Sequence, residues 1–354
     1  MAVKILDLSQ EYYWNEYLIK LPKYQQDIYF TPEYYKILNK YGDGEALCFV
    51  YYDNDNIALY PFFKNSVNKL GYKLDSEYFD IQGAYGYNGV LSNCQEEEFK
   101  ANFFKSFNTF CQEENIIAEF TRFHPLLNNY TFSGQNMEIV YDRKTVFLDI
   151  TKSNDDIWNN SYSSNNRNMI RKSLKNNIEI IEGGKEEDYI AFYKIYVETM
   201  LNVGSEKYLF FNEKYFLDFM NLLPNNHRII FAKYNNNIIG GMILMMYKTY
   251  AHYHLSCRKT DYGRFALNNL LLDYAIKLAQ KEGCKFFHFG GGTSSNEEDS
   301  LLKFKSNFSK SKIDFYIGKK IHNSEIYKTV VSSWEKKNEH KTDKLKNVLL
   351  KYRM

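Results

Sequence analysis

The hydrophobic pattern switches repeatedly between helical and strand periods, and the switches mark the elements. Phe99, Phe103, Phe107, Phe110 and Cys111 share one face of a predicted long helix, and Leu267, Leu270, Leu271, Tyr274 and Leu278 share that of a second. Each is followed by a short apolar strand, Ile116 to Phe120 and Cys284 to His288. Ahead of each lies a predicted hairpin. Leu47 to Tyr52 returns through Asp53, Asn54, Asp55 and Asn56 into Ile57 to Tyr60, and Ile229 to Tyr234 returns through Asn235, Asn236 and Asn237 into Ile238 and Ile239. Asp and Asn tolerate the left-handed positions such turns require. Before each hairpin a helix opens on a capping residue, Thr31 with Pro32 behind it and Asn212 in the second half. The caps are offset by ~181 residues and the hairpins by ~182. A shared order at near-constant offset predicts α/β architecture with mixed sheets, one unit duplicated and fused.

The second half adds a helix through Tyr189, Phe192, Tyr193, Tyr196 and Met200. It also adds a third meander strand, Ala251 to Cys257, after a turn at Lys248. The Ser- and Asn-rich stretch 151–166 reads as a linker. The expected domains are therefore 1–150 and 151–317, followed by a basic helical segment 318–354 that packs back on the body with a fraying end.

With 44% apolar and 25% charged residues, the composition is that of a soluble globular protein. A net charge of +2 makes no global demand for nucleic acid or an anionic membrane. Charge is local instead: Arg167, Arg171, Lys172 and Lys175 cluster, as do the lysines from Lys303 to Lys320. No apolar run reaches the about 18 residues of a membrane span, and the N-terminus lacks the apolar core of a signal peptide. Five scattered cysteines without a C-x-x-C pair fit a reduced, cytoplasmic setting, and no histidine pattern predicts a metal.

Candidate chemistry concentrates after the last apolar strand. His288 and Phe289 lead into Gly290, Gly291 and Gly292, then a polar link, then Leu301, Leu302, Lys303, Phe304, Lys305 and Phe308. The glycines permit close approach and positive φ, and the helical spacing of 301, 304 and 308 leaves Lys303 and Lys305 to reach an anion. His252 and His254 share a strand face, and imidazole titrates near neutrality, so His254 is a candidate base for an attacking amine. His288 is a weaker candidate, and Tyr85, Tyr87 and Tyr208 are candidates for an acceptor cleft.

The glycine triplet through Phe304 and Lys305, with Gly318, Lys319, Lys320 and Ile321 beyond, resembles the Fem family of non-ribosomal aminoacyltransferases and its tandem GNAT-fold cousins. Asn166 to Ser173 resembles the basic opening of that family's second domain, and Asp80 to Gly89 a Gly/Tyr loop common there. The resemblance implies two tandem GNAT-like domains, with the C-terminal segment returning to complete the first. It also implies transfer of an amino acid from aminoacyl-tRNA to an amino group of a peptidoglycan precursor, with no separate cofactor. Phe304 and Lys305 would then lie near the acyl donor or the developing charge, and Gly290, Gly291 and Gly292 would contact substrate. Arg167, Arg171 and Lys172 would serve tRNA. The chain departs from the family in lacking a long coiled-coil insertion. It also carries Leu201 and Asn202 where relatives often place an arginine.

An ester donor is already activated, so no covalent enzyme intermediate is required, and Lys305 would stabilise the oxyanion or donor phosphates. An acyl-CoA donor would use the loop from Arg258 to Ala266, including Arg264, ahead of the helix at Leu267. That alternative is an N-acyltransferase acting on an amino sugar or sugar-nucleotide precursor. A third is a non-catalytic GNAT-like module that binds a glycan or nucleotide.

Overall fold

The computed structural model describes residues 2–204 and 210–354. The chain forms two compact units, one of residues 1–25, Tyr29–Asp142 and Phe315–Met354, the other of Gln26–Ile28 and Arg143–Asp314. The chain leaves the first unit inside the strand Glu138–Asp149 and re-enters it inside the strand Lys312–Ile321, where the sequence placed the boundaries at 150 and 317.

In the first unit the strands run in the order Ala2–Asp7, Glu45–Asp53, Asn56–Ser66, Phe79–Gln82, Ile116–Arg122 and Lys312–Ile321. The hairpin turns where Asn54 takes a φ of 53°. On one sheet face Phe49 meets Phe103 and Phe107 of the helix Glu97–Glu113, with ring centroids 5.5 and 5.1 Å away. Burying each such ring stabilises the unit by roughly 2 kcal/mol or more. Ile117 faces the other way, into a cluster with Val67, Trp334, Leu349 and Tyr352. The helix Pro32–Tyr41 starts as expected, Thr31 Oγ1 accepting from the Tyr34 N–H, and ends at Gly42 with φ 108°.

Two expectations for the C-terminal segment need correction. Gly318 lies within a strand, paired with Thr121, because the alternating pattern of Lys312–Ile321 suits a sheet, and the helix Ser324–Lys337 starts only after the Asn323 cap. The end does not fray. Arg353 Nε lies 2.7 and 2.9 Å from the two oxygens of fully buried Asp80, and the Tyr352 hydroxyl donates to the same carboxylate at 2.9 Å.

In the second unit the strand order is Glu138–Asp149, Phe286–Gly291, Tyr250–Arg258, Asn237–Tyr247, His227–Tyr234 and Glu179–Glu182. Asn235 and Asn236, both at positive φ, make the hairpin turn. The helices Ser164–Lys175 and Leu267–Lys281 cover the face carrying Ile230, Leu244 and Phe287. Phe231, on the opposite face, meets Phe192 of the helix Glu186–Asn202, which in turn meets Phe216 of the helix Glu213–Leu222. Asn212 caps the latter helix by accepting from the Tyr215 N–H.

The stretch 151–166 is no linker. Ser153 and Ser163 each cap a helical turn, and Ile157, Tyr162 and Asn166 are buried in the second unit. Its serines and asparagines cap helices, which in sequence looks the same as a loop. Each unit thus repeats the same order of two helices, hairpin, strand, long helix and strand, so the sequence repeat is a repeat of fold.

Candidate functional site

In the second unit Tyr250–Arg258 and Phe286–Gly291 are parallel neighbours, yet they pair only from Tyr250 with Phe286 to His252 with His288. Beyond that pair the register stops, although the strands run on to Arg258 and Gly291. Two parallel strands that part leave backbone polar groups directed into the gap, a ready seat for an extended polar ligand. The first unit closes the equivalent gap. There Phe79–Gln82 pairs with Ile116–Arg122 and the contact continues as Gly83 N–H donates to the Phe120 carbonyl, Asn88 N–H to that of Arg122, and His124 N–H to that of Asn88.

The helix Ser300–Ser306 brings Lys305 to the open gap. Asp299 starts it: one carboxylate oxygen accepts from the N–H groups of Leu301 and Leu302 at 2.9 and 3.0 Å, the other from those of Thr293 and Ser294 at 3.0 and 3.1 Å. These bonds to the charged form hold the Asp299 carboxyl far below the usual range. Lys305 is 7% exposed, donates to the Gly291 carbonyl at 2.7 Å, and lies 5.7 Å from the ring centre of Tyr253. Burial lowers its pKa from 10.5 to about 7; nearby Arg143 lowers it further while Asp299 opposes. The Tyr253 hydroxyl pairs with Ser256 on the same open strand.

The three glycines meet three different needs. Gly290 takes a φ of 76°, in the region that favours glycine. A Cβ on Gly291 would sit 2.9 Å from Arg143 Cδ and 3.0 Å from the Lys144 carbonyl oxygen. One on Gly292 would sit 2.5 Å from an Asp299 carboxylate oxygen. Arg143 itself donates to the Gly292 carbonyl at 2.8 Å.

Other expected residues fall elsewhere. Lys303 does not share the position of Lys305: it is exposed and pairs with Glu298. Phe304 packs edge-on to Phe308 at 5.7 Å against the apolar cluster, as a helix-docking residue. His254 Nε2 lies 3.0 Å from the Tyr215 hydroxyl, and desolvation, with His252 and His227 nearby, pushes its pKa well down, leaving it a poor base at neutral pH. His252 is bound to buried Asp27 at 2.7 Å, and His288 contacts Thr145 at 3.0 Å. Arg264 is exposed in the turn Thr260–Phe265, its guanidinium 5.0 Å from the Phe265 ring centre. Tyr85 and Tyr87 belong to the first unit, where Tyr85 accepts from Tyr34 through its carbonyl and Tyr87 packs against Tyr29, His124 and Phe315. Tyr208 lies outside the described residues.

The basic cluster divides. Arg167 is spent on structure, donating to the carbonyls of Trp158 and Tyr162 at 3.2 and 2.6 Å. Arg171 and Lys172 are exposed on the helix Ser164–Lys175, Arg171 lying over Trp158 at 5.3 Å. Sequence reasoning missed Arg143, Tyr253 and Asp299. Only Asp299 carried a signal, as an acidic residue just ahead of the apolar run at Leu301 and Leu302.

Residues 164–305 match the family model described as an acetyltransferase (GNAT) domain. That segment holds both the parting strands and Lys305, so the second unit is an acyltransferase domain of the GNAT type. Over the whole chain the fold is Fem-like tandem GNAT: it is similar to the crystal structure of FemX at 14% identity and a TM-score of 0.67, covering 93% of this chain and 99% of that one. A tandem GNAT protein from the clavulanic acid biosynthesis pathway aligns at 7% identity and a TM-score of 0.51, over 90% and 98% of the two chains. L-PGS from Bacillus licheniformis aligns at 13% and 0.53, over 81% and 90%. No curated protein matches the sequence. No helix among the described residues is long and apolar enough to cross a membrane.

Proposed function

We propose that the protein transfers an amino acid from aminoacyl-tRNA to an amino group of a cell-wall precursor peptide, in the gap between the parting strands. The carrying observation is the buried Lys305 amine with a pKa near 7, at the one gap of the two units that stays open. Such a group exchanges protons readily at neutral pH. The neutral Lys305 amine takes a proton from the attacking amine as its nitrogen bonds to the ester carbonyl carbon. The resulting ammonium balances the oxyanion. The ester C–O bond then breaks, and Lys305 returns the proton to the leaving ribose oxygen. Likeness to FemX across nearly the whole chain supports the aminoacyl donor, and exposed Arg171 and Lys172 suit a phosphate backbone.

A second reading takes acyl-CoA as donor and an amino sugar as acceptor. It is favoured by one observation: the helix Leu267–Lys281 directly follows the open strand's turn, has no side-chain cap at Ala266, and has Arg258, Lys259 and Arg264 in that turn. The test supplies the purified protein with a pool of charged tRNA, or with acetyl-CoA, together with amine-bearing precursor peptides and amino sugars. Mass spectrometry then reads the amide product. Product from charged tRNA alone supports the first reading; product from acetyl-CoA alone replaces it with the second.

A further inference from the structure

Arg143 and Lys305 lie 162 positions apart in sequence, yet they address adjacent carbonyls of one strand end, those of Gly292 and Gly291. The antiparallel register of Phe286–Gly291 with Glu138–Asp149, ending at Gly291 opposite Thr145, carries Arg143 to that point. The Arg143 stem lies across the bare α-carbon of Gly291, at a distance any side chain there would occupy. Two cations so placed act on each other as well as on the backbone between them. Resting on the role given to Lys305 above, we infer that Arg143 is the positioning residue of the transfer reaction: its guanidinium pins the Gly291–Gly292 backbone that orients Lys305 Nζ, and its fixed charge opposes protonation of that amine.

The other charged and titratable groups around Lys305 do not duplicate this effect. Asp299, at the start of its own helix, works in the opposite direction. Lys303 is paired with Glu298, and Lys144, next to Arg143, is paired with Asp314 at 2.9 Å. Tyr253, on the open strand, has its hydroxyl pushed up by burial and stays neutral, and His288 is bound to Thr145. Arg143 is thus the cation whose charge favours the neutral amine. Its pairing with a carbonyl rather than a carboxylate leaves that charge uncompensated in the contact with Gly292.

The test compares wild type, Arg143→Gln and Arg143→Lys by competitive labelling with acetic anhydride across pH, with the extent of reaction at Lys305 read by peptide mass spectrometry. Circular dichroism melting verifies that each variant is folded. Arg143→Gln should move the Lys305 titration upward by about half a pH unit or more, while Arg143→Lys, which keeps the charge, should leave it near the wild-type value. In the transfer assay the glutamine variant should lose about three- to tenfold in kcat at neutral pH and recover at alkaline pH, with KM little changed. An unshifted Lys305 titration in folded Arg143→Gln overturns this inference and leaves the reading of Lys305 standing. A wild-type Lys305 that titrates near 10 overturns that reading itself.

Discussion

Lys305 Nζ donates to the Gly291 carbonyl oxygen at 2.7 Å while the lysine side chain is almost wholly withdrawn from water. A single neutral acceptor satisfies one of the three N–H groups of an ammonium, so burial favours the uncharged amine. That relationship makes the end of the glycine strand a proton-handling site rather than only a tight turn.

Replacing Lys305 by methionine should separate chemistry from stability. Transfer should fall by about 100-fold or more with the loss of the proton acceptor. Folding should change by no more than about 1 kcal/mol, because methionine removes a group that is hard to desolvate and leaves only the Gly291 carbonyl short of a donor. The effect on stability should depend on pH in a definite direction. Lys305 titrates near 7 when folded and near 10.5 when unfolded, so between these values the unfolded chain holds more protons. Wild-type stability should therefore gain on that of Lys305→Met as pH rises from about 7 to about 10. Thermal melts of both proteins over that range measure it, and a pH-independent difference would count against a depressed pKa.

The Asp299 cap gives the opposite pH dependence. Its carboxyl titrates below the model value of 3.8 through bonds to its charged form, so its contribution is complete above about pH 4 and is lost as pH falls further. Gly292→Ala should mimic that loss at neutral pH, since the new Cβ would collide with the Asp299 carboxylate. Hydrogen exchange at the Leu301 and Leu302 amides should speed up by about fivefold or more in Gly292→Ala, in line with a lost cap of about 1 kcal/mol. Unchanged exchange would mean that the loop absorbs the methyl group.

Much of the scaffold was legible because its signals are local. Thr31 and Asn212 cap the helices they precede, and Asn54, Asn235 and Asn236 take the left-handed turns their identities allow. Lys305 was singled out by its place after the glycine triplet, but its burial was not visible. Helical spacing put Leu301 and Phe304 inside, whereas Leu302 and Phe308 are the fully buried positions and Lys305 turns in with them. Arg143 gave no local sign at all, because an antiparallel strand pairing joins it to the site. Serines that cap look like serines that link, and the stretch 151–166 was misread for that reason.

In the first unit, buried Asp80 depends on Arg353. Arg353→Met should destabilise the protein by about 3 kcal/mol or more, because it strands a carboxylate away from water. The double variant Asp80→Asn with Arg353→Met should recover part of that loss. Urea unfolding of the three proteins measures both effects, and a single variant as stable as wild type would show that water replaces the guanidinium.

The most direct test of the account is the pH dependence of single-turnover transfer from aminoacyl-tRNA to a precursor amine, in wild type and Lys305→Met. The account predicts a wild-type rate that climbs to a plateau above about pH 7, set by deprotonation of Lys305, and a methionine variant slowed by about 100-fold with that limb gone. A folded Lys305→Met protein that transfers at the wild-type rate with the same pH profile would contradict it.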